Sequence, residues 1–75
     1  MPTADELKTR IEAQLPGAVA QVVDTTGTED HFYAEVSAPQ FSGLSLIDQH
    51  KLVYEAVGYG RDASIHAFSM KTVAG

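Results

Sequence analysis

Three histidines, His31, His50 and His66, are the side chains whose type suggests chemistry in this 75-residue chain. Imidazole can ligate a metal or shuttle a proton near neutral pH. No two of them stand three or four residues apart, so no helical turn supplies a local metal motif. Two histidines brought together by folding give an incomplete zinc site. On spacing alone, His66 sits in a strand pattern on the side of Phe68 and Met70, and reads as a half-buried histidine bonded to a backbone carbonyl. His31, beside Glu29 and Asp30, reads as a solvated residue at the end of a loop. His50, ahead of Lys51 in a helical pattern, reads as a packing or surface residue.

There is no cysteine, hence no disulfide, no thiolate nucleophile and no all-protein cysteine site. The serine elbow, the P-loop and the dinucleotide-binding glycine pattern are absent. Gly58-Tyr59-Gly60 is a turn signal and a weak phosphate cradle. The ten carboxylates are scattered as on solvated faces, and no acid–base pair stands out. The expectation is a protein that is not an enzyme.

Apolar residues make up 44% of the chain and charged residues 20%, a balance that fits one small α+β domain over residues 1–75 and not a disordered tail. Five basic against ten acidic residues leave a net charge of -5, which gives no summed attraction for phosphate backbones or anionic membranes and leaves room only for a local basic patch. No apolar run approaches the roughly 20 residues that span a bilayer. Met1 to Glu6 lacks the basic start and apolar core of a signal peptide, so a cytoplasmic location is expected.

The elements that must position the histidines follow from periodicity. Thr3 and Glu6 have capping-box spacing, and Leu7, Ile11 and Leu15 form the apolar stripe of a first helix that Pro16-Gly17 ends. Ala18 to Asp24 and His31 to Ser37 read as a hairpin. Phe32, Ala34 and Val36 of its second strand face one way; His31, Tyr33, Glu35 and Ser37 face the other. Ala38-Pro39-Gln40 breaks that strand. Ser45 with Asp48 starts a second helix, with Leu46, His50, Val53 and Val57 on one face, Ile47 and Tyr54 beside it, and Gly58 and Gly60 at its end. Arg61 to Ser64 has room for a turn or a very short helix. Ile65 to Thr72 reads as a third strand, and Val73-Ala74-Gly75 as a frayed end. Helices must then cover one side of a three-stranded mixed sheet, with the third strand parallel to its neighbour. The fold class is a two-layer α+β sandwich, α-β-β-α-(α)-β.

The stretch Phe41-Ser42-Gly43-Leu44-Ser45-Leu46-Ile47-Asp48-Gln49-His50-Lys51-Leu52-Val53-Tyr54 resembles the signature of BolA-like proteins, F-x-G-x-S-x-x-x-R-H-R-x-V-Y. Phe41, Gly43, Ser45, His50, Val53 and Tyr54 match it as they stand. Ile65-His66-Ala67-Phe68 is similar to the family's second marker, I/V-H-A-L, and Asp30-His31-Phe32 resembles its H-F entry to the second strand. The family's fold is similar to the type II KH arrangement. In this reading Gly43 allows a tight approach before the helix, Ser45 caps it, and Phe41 plugs it onto the sheet. Gln49 and Lys51 depart from the two arginines frequent in the family. The loop Thr25 to Asp30 lacks the Cys or His that some relatives place there as a second ligand. The sequence ends soon after the third strand, before the C-terminal helix of many relatives.

The resemblance implies a partner of monothiol glutaredoxins of the CGFS type, sharing a [2Fe–2S] cluster for cluster trafficking, iron or redox regulation, or stress response. It makes His66 the ligand expected from this side, with His31 as the weaker second candidate. Thiolates must then come from the glutaredoxin and glutathione, and no cluster is expected on the chain alone. Gly43, Ser45, His50, Lys51 and Tyr54 are the expected partner-binding residues. A plain adaptor that binds through the second helix without metal, and a KH-like nucleic-acid-binding transcription regulator, are the alternatives. The regulator is disfavoured by the acidic charge and by Gly43-Leu44-Ser45-Leu46, which is not the GXXG of KH domains; Lys51, Lys71 and Arg61 would be its contacts. Alone, the chain is expected to be a monomer or a weak homodimer.

Overall fold

The computed structural model describes residues 2–75. Met1, the first residue of the segment read for a signal peptide, lies outside them. Helix α1 spans Ala4–Gln14, strand β1 Val19–Asp24, strand β2 His31–Ala38, helix α2 Leu46–Val57 and strand β3 Ala67–Ala74. A single 3-10 turn, Pro39–Phe41, follows β2. The three strands form one sheet in the order β1-β2-β3, with β2 antiparallel to β1 and parallel to β3. This is the expected two-layer α+β architecture with a mixed sheet.

The helix starts follow their capping residues. Thr3 Oγ1 accepts the Glu6 N–H at 3.1 Å, and Ser45 Oγ accepts the Asp48 N–H at 3.2 Å, each satisfying a donor that the helix itself leaves free. At Thr3 the capping box is half made, because the bond back from Glu6 is not formed. Gly58 closes α2 in the left-handed conformation at φ 81°, where a side chain would be strained.

Burial explains the layer order. Phe32, Ala34 and Val36 of β2 are buried, as their alternation requires, together with Ala20 and Phe68 from the flanking strands. Leu7, Ile11 and Leu15 of α1 and Val53, Ala56 and Val57 of α2 complete the same cluster. Phe41, the last residue of the 3-10 turn, is fully buried in this core; the proline-containing strand break had not revealed that turn. Two side-chain clamps hold α1 in place. Glu12 accepts the Ala20 N–H and pairs with Lys8, which also donates to the Ala20 carbonyl. Arg10 donates to the Val57 carbonyl at 2.8 Å and to Asp62 at 3.3 Å.

Four sequence expectations are corrected. Strand β3 starts at Ala67 and runs to Ala74, so Val73 and Ala74 are not frayed: they pair with Ser37 and Ala38. A partner strand supplies the ladder that weak local propensity could not. His66 therefore precedes the strand, and it is exposed rather than half-buried beside Phe68. Leu46 shares the angular face of Val53 but is 62% exposed, with Ile47 at 69%, because the first turn of α2 projects past the core. Gly43 has φ 80°, and a Cβ there would meet nothing within 4 Å. Its requirement is the left-handed backbone, not close approach. Residues 61–64 form a turn and not the very short helix that was its alternative; Asp62 there accepts both the N–H and the hydroxyl of Ser64.

Candidate metal and partner site

Parallel pairing of β2 with β3 sets His31 opposite Ala67, which brings the entries of both strands to the same end of the sheet. The Asp30 carbonyl accepts the N–H groups of His66 at 2.8 Å and Ala67 at 3.1 Å, locking that end together. The preceding loop is shaped by Asp24, whose carboxylate accepts the N–H groups of Thr26, Gly27 and Glu29. These bonds lower the Asp24 pKa against the opposing effect of desolvation. Glu29 adopts φ 59°, and the chain then turns into β2 with the Asp30 side chain inward.

Asp30 is the hub of the site. Its Oδ1 lies 2.8 Å from His31 Nδ1 and also accepts the Thr28 hydroxyl; its Oδ2 lies 3.1 Å from His66 Nδ1. The two imidazole rings meet edge to face, with centroids 6.1 Å apart. The Thr28 hydroxyl and then the His31 imidazole hold the Asp30 carboxyl down to about 2, against partial desolvation, with His66 adding to the effect. The carboxylate is mostly covered at 19% exposure, whereas the His31 and His66 side chains are 43% and 63% exposed. Nδ1 of each ring thus faces the protein's own acceptor, leaving Nε2 as the nitrogen that Asp30 does not engage.

The donor set decides what such a site can hold. Among the described residues, no group of three His, Cys, Asp or Glu could hold a metal ion. The Asp30 oxygens are engaged with the imidazoles and Thr28, so this chain offers the two Nε2 atoms. That falls short of a resident metal ion but fits the histidine share of a cluster whose remaining ligands come from elsewhere.

The expected partner-binding residues do not all gather here. Gln49, in the first part of α2, bonds Thr72 near the end of β3, while Tyr54, farther along the helix, packs edge to face on Phe68 near the start of β3. Helix α2 thus runs antiparallel to β3. Tyr54, stacked on Tyr59 at 5.1 Å, stands toward the histidine end, and Gly43 and Ser45 stand at the opposite one. His50 is half-buried and Lys51 exposed between them. Gln49 donates to the carbonyls of Leu44 and Phe41 as well, a structural role that its departure from the family arginine did not signal. Asp30 was likewise missed: its adjacency to His31 was visible, but its bond to His66, 36 residues away, had no local signal.

The basic side chains form no common surface among the described residues. Lys8 and Arg10 are engaged with Glu12 and Asp62, and Arg61 donates to the Glu55 carbonyl. Lys51 lies on the helix layer, while Lys71 alternates with buried Phe68 onto the uncovered sheet face, in register with Glu35.

Comparison with known proteins agrees with this geometry. The family model for BolA-like proteins matches residues 5–75. The uncharacterized protein RP812 of Rickettsia prowazekii is 39% identical over 72 residues, covering 96% of this chain and 94% of that protein. Among solved structures, a bolA protein homologue from Coxiella burnetii is 36% identical with a TM-score of 0.74, over 99% of this chain and 92% of that one. A bol-like protein from Babesia bovis is 29% identical with a TM-score of 0.84, over 99% and 86% of the two chains. With the family match, the shared fold and the H-F and I-H-A markers meeting at one end of the sheet, this chain belongs to the BolA-like proteins.

Proposed function

We propose that this protein is a non-enzymatic cytoplasmic partner of a monothiol CGFS glutaredoxin, with which it shares a [2Fe–2S] cluster for cluster trafficking or iron and redox regulation. The observation that carries this reading is the pair of imidazoles, exposed His66 and half-buried His31, backed by one carboxylate in a BolA-like chain without cysteine. His66 is the first ligand in this reading and His31 the second. The thiolates come from the glutaredoxin and glutathione. Imidazole in place of thiolate on one iron raises the cluster's reduction potential, which suits a regulated or transferable cluster. Tyr54 belongs to the contact surface nearest the ligands, with His50 and Lys51 along the same helix and Gly43 and Ser45 as its outer limit.

Co-expression with a CGFS glutaredoxin tests this directly. A coloured mixed complex is expected, with visible absorption and circular dichroism that neither the chain alone nor its His66→Ala variant reproduces. A colourless complex would reduce the protein to a metal-free adaptor.

A further inference from the structure

We propose that Asp30 is a positioning residue that fixes the tautomer and aim of both His31 and His66, presenting Nε2 of each ring as a matched pair of donors. The consequence for the cluster rests on the function proposed above; the positioning itself does not.

A carboxylate can only accept hydrogen bonds, so each imidazole nitrogen bonded to Asp30 must carry its proton on Nδ1. A free neutral histidine side chain in water prefers the opposite tautomer, with the proton on Nε2, where it would block coordination by that atom. Which nitrogen is free for a metal is set by the hydrogen bond that the other one makes. Asp30 makes that bond twice, with Oδ1 to His31 at 2.8 Å and Oδ2 to His66 at 3.1 Å.

The side chain is itself held in place. The Thr28 hydroxyl donates to Oδ1, and the Asp30 backbone carbonyl accepts the N–H groups of both His66 and Ala67. His66 is consequently gripped at its backbone and at its ring by the same residue. The His66 ring is exposed and the His31 ring half-buried, and no other side chain is hydrogen-bonded to either ring among the described residues. Without the carboxylate each ring is free to rotate and to exchange tautomers in water. Because one carboxylate serves both rings, the two histidines also form one unit, although 35 positions of sequence separate them.

Substitution at Asp30 can separate this role from a structural one, since the backbone carbonyl that joins the strands remains. The experiment is a long-range proton–nitrogen correlation of the imidazoles in the metal-free chain at mildly alkaline pH, where imidazole is neutral. Both rings are expected as Nδ1–H in the unsubstituted protein. Asp30→Ala should shift both toward Nε2–H while the backbone amide spectrum stays folded. Asp30→Asn should shift only one, because an amide offers one accepting and one donating end in place of two acceptors. In the mixed complex with glutaredoxin, Asp30→Ala should weaken retention of the cluster against a chelator by about 10–100-fold, the usual cost of losing a carboxylate behind a ligating histidine.

Nε2–H rings in the unsubstituted chain, or tautomers that Asp30→Ala leaves in place, would overturn the proposal. Shifted tautomers with unchanged cluster retention would support the positioning and overturn its consequence for the cluster. A colourless complex of the unsubstituted chain would instead remove the function proposed above, and the tautomer measurement alone would then decide whether Asp30 positions the rings.

Discussion

Gln49 Oε1 accepts the Thr72 hydroxyl at 2.6 Å, joining the first part of helix α2 to the far end of edge strand β3. The same side chain donates from Nε2 to the Leu44 carbonyl at 3.0 Å and the Phe41 carbonyl at 3.4 Å. One amide therefore staples the Gly43 loop, the helix and the strand at the end of the sheet opposite the histidines.

Gln49→Ala is expected to destabilise the fold by about 1–2 kcal/mol, because it strands half-buried partners on both sides of the amide. Thr72→Val removes only one of the three bonds and should cost less. Urea denaturation of the two single variants and the double variant should show a coupling of at least about 0.5 kcal/mol. Lys51→Ala, at an exposed position on the same helix, should stay within about 0.5 kcal/mol of the parent. Fully additive costs for Gln49→Ala and Thr72→Val would show that the 2.6 Å bond does not act as a staple.

His66→Ala separates ligand from scaffold cleanly because the ring is 63% exposed. Chemical denaturation should place its stability within about 0.5 kcal/mol of the parent. The mixed complex with glutaredoxin should persist or weaken modestly, while its circular dichroism changes. Its reduction potential should move downward if a thiolate takes the vacated position. His31→Ala is the comparison and should change the spectrum less. An unchanged spectrum and potential in His66→Ala would remove His66 as a ligand and leave the family assignment standing.

Acid should destabilise the protein through its hydrogen-bonded carboxylates. The Ser64 hydroxyl and N–H, and then Arg10, hold Asp62 below its ordinary value of 3.8 despite desolvation. Lys8 and the Ala20 N–H lower Glu12, and Asp30 is held down to about 2. A carboxyl whose folded-state pKa is depressed contributes its full stabilisation above the unfolded-state pKa and loses it as pH falls through the folded value. The stabilisation that these carboxylates supply should therefore decline from about pH 4 toward pH 2. Asp62→Asn should be less stable than the parent at neutral pH, and the gap should narrow through that window. A gap that stays constant from pH 6 to about pH 2 would show that Asp62 contributes nothing through its ionisation.

Nucleic-acid binding is expected to be weak. With net charge -5 and the basic side chains paired or divided between the two layers, affinity for random double-stranded DNA should fall below the usual non-specific range of about 10⁻⁴–10⁻⁶ M at physiological salt. Fluorescence anisotropy measures it. Tight, salt-sensitive binding would favour a regulator acting on DNA.

What the amino-acid sequence determined by itself was local. Thr3 and Ser45 cap their helices because a side-chain oxygen serves N–H groups only three residues away, and the alternation of Phe32, Ala34 and Val36 chose the buried face of β2 because successive strand residues point oppositely. Element order and the family markers were legible for the same reason. What only the tertiary structure decided was whatever depends on register between distant segments. Pairing with β2 carried β3 on to Ala74 and left His66 outside the strand, exposed. The short reach of the core under the first turn of α2 left Leu46 in solvent despite its helical phase. The parallel register that sets His31 opposite Ala67 put Asp30 between two histidines far apart in sequence, because strands related by a crossover acquire neighbours that no local spacing encodes.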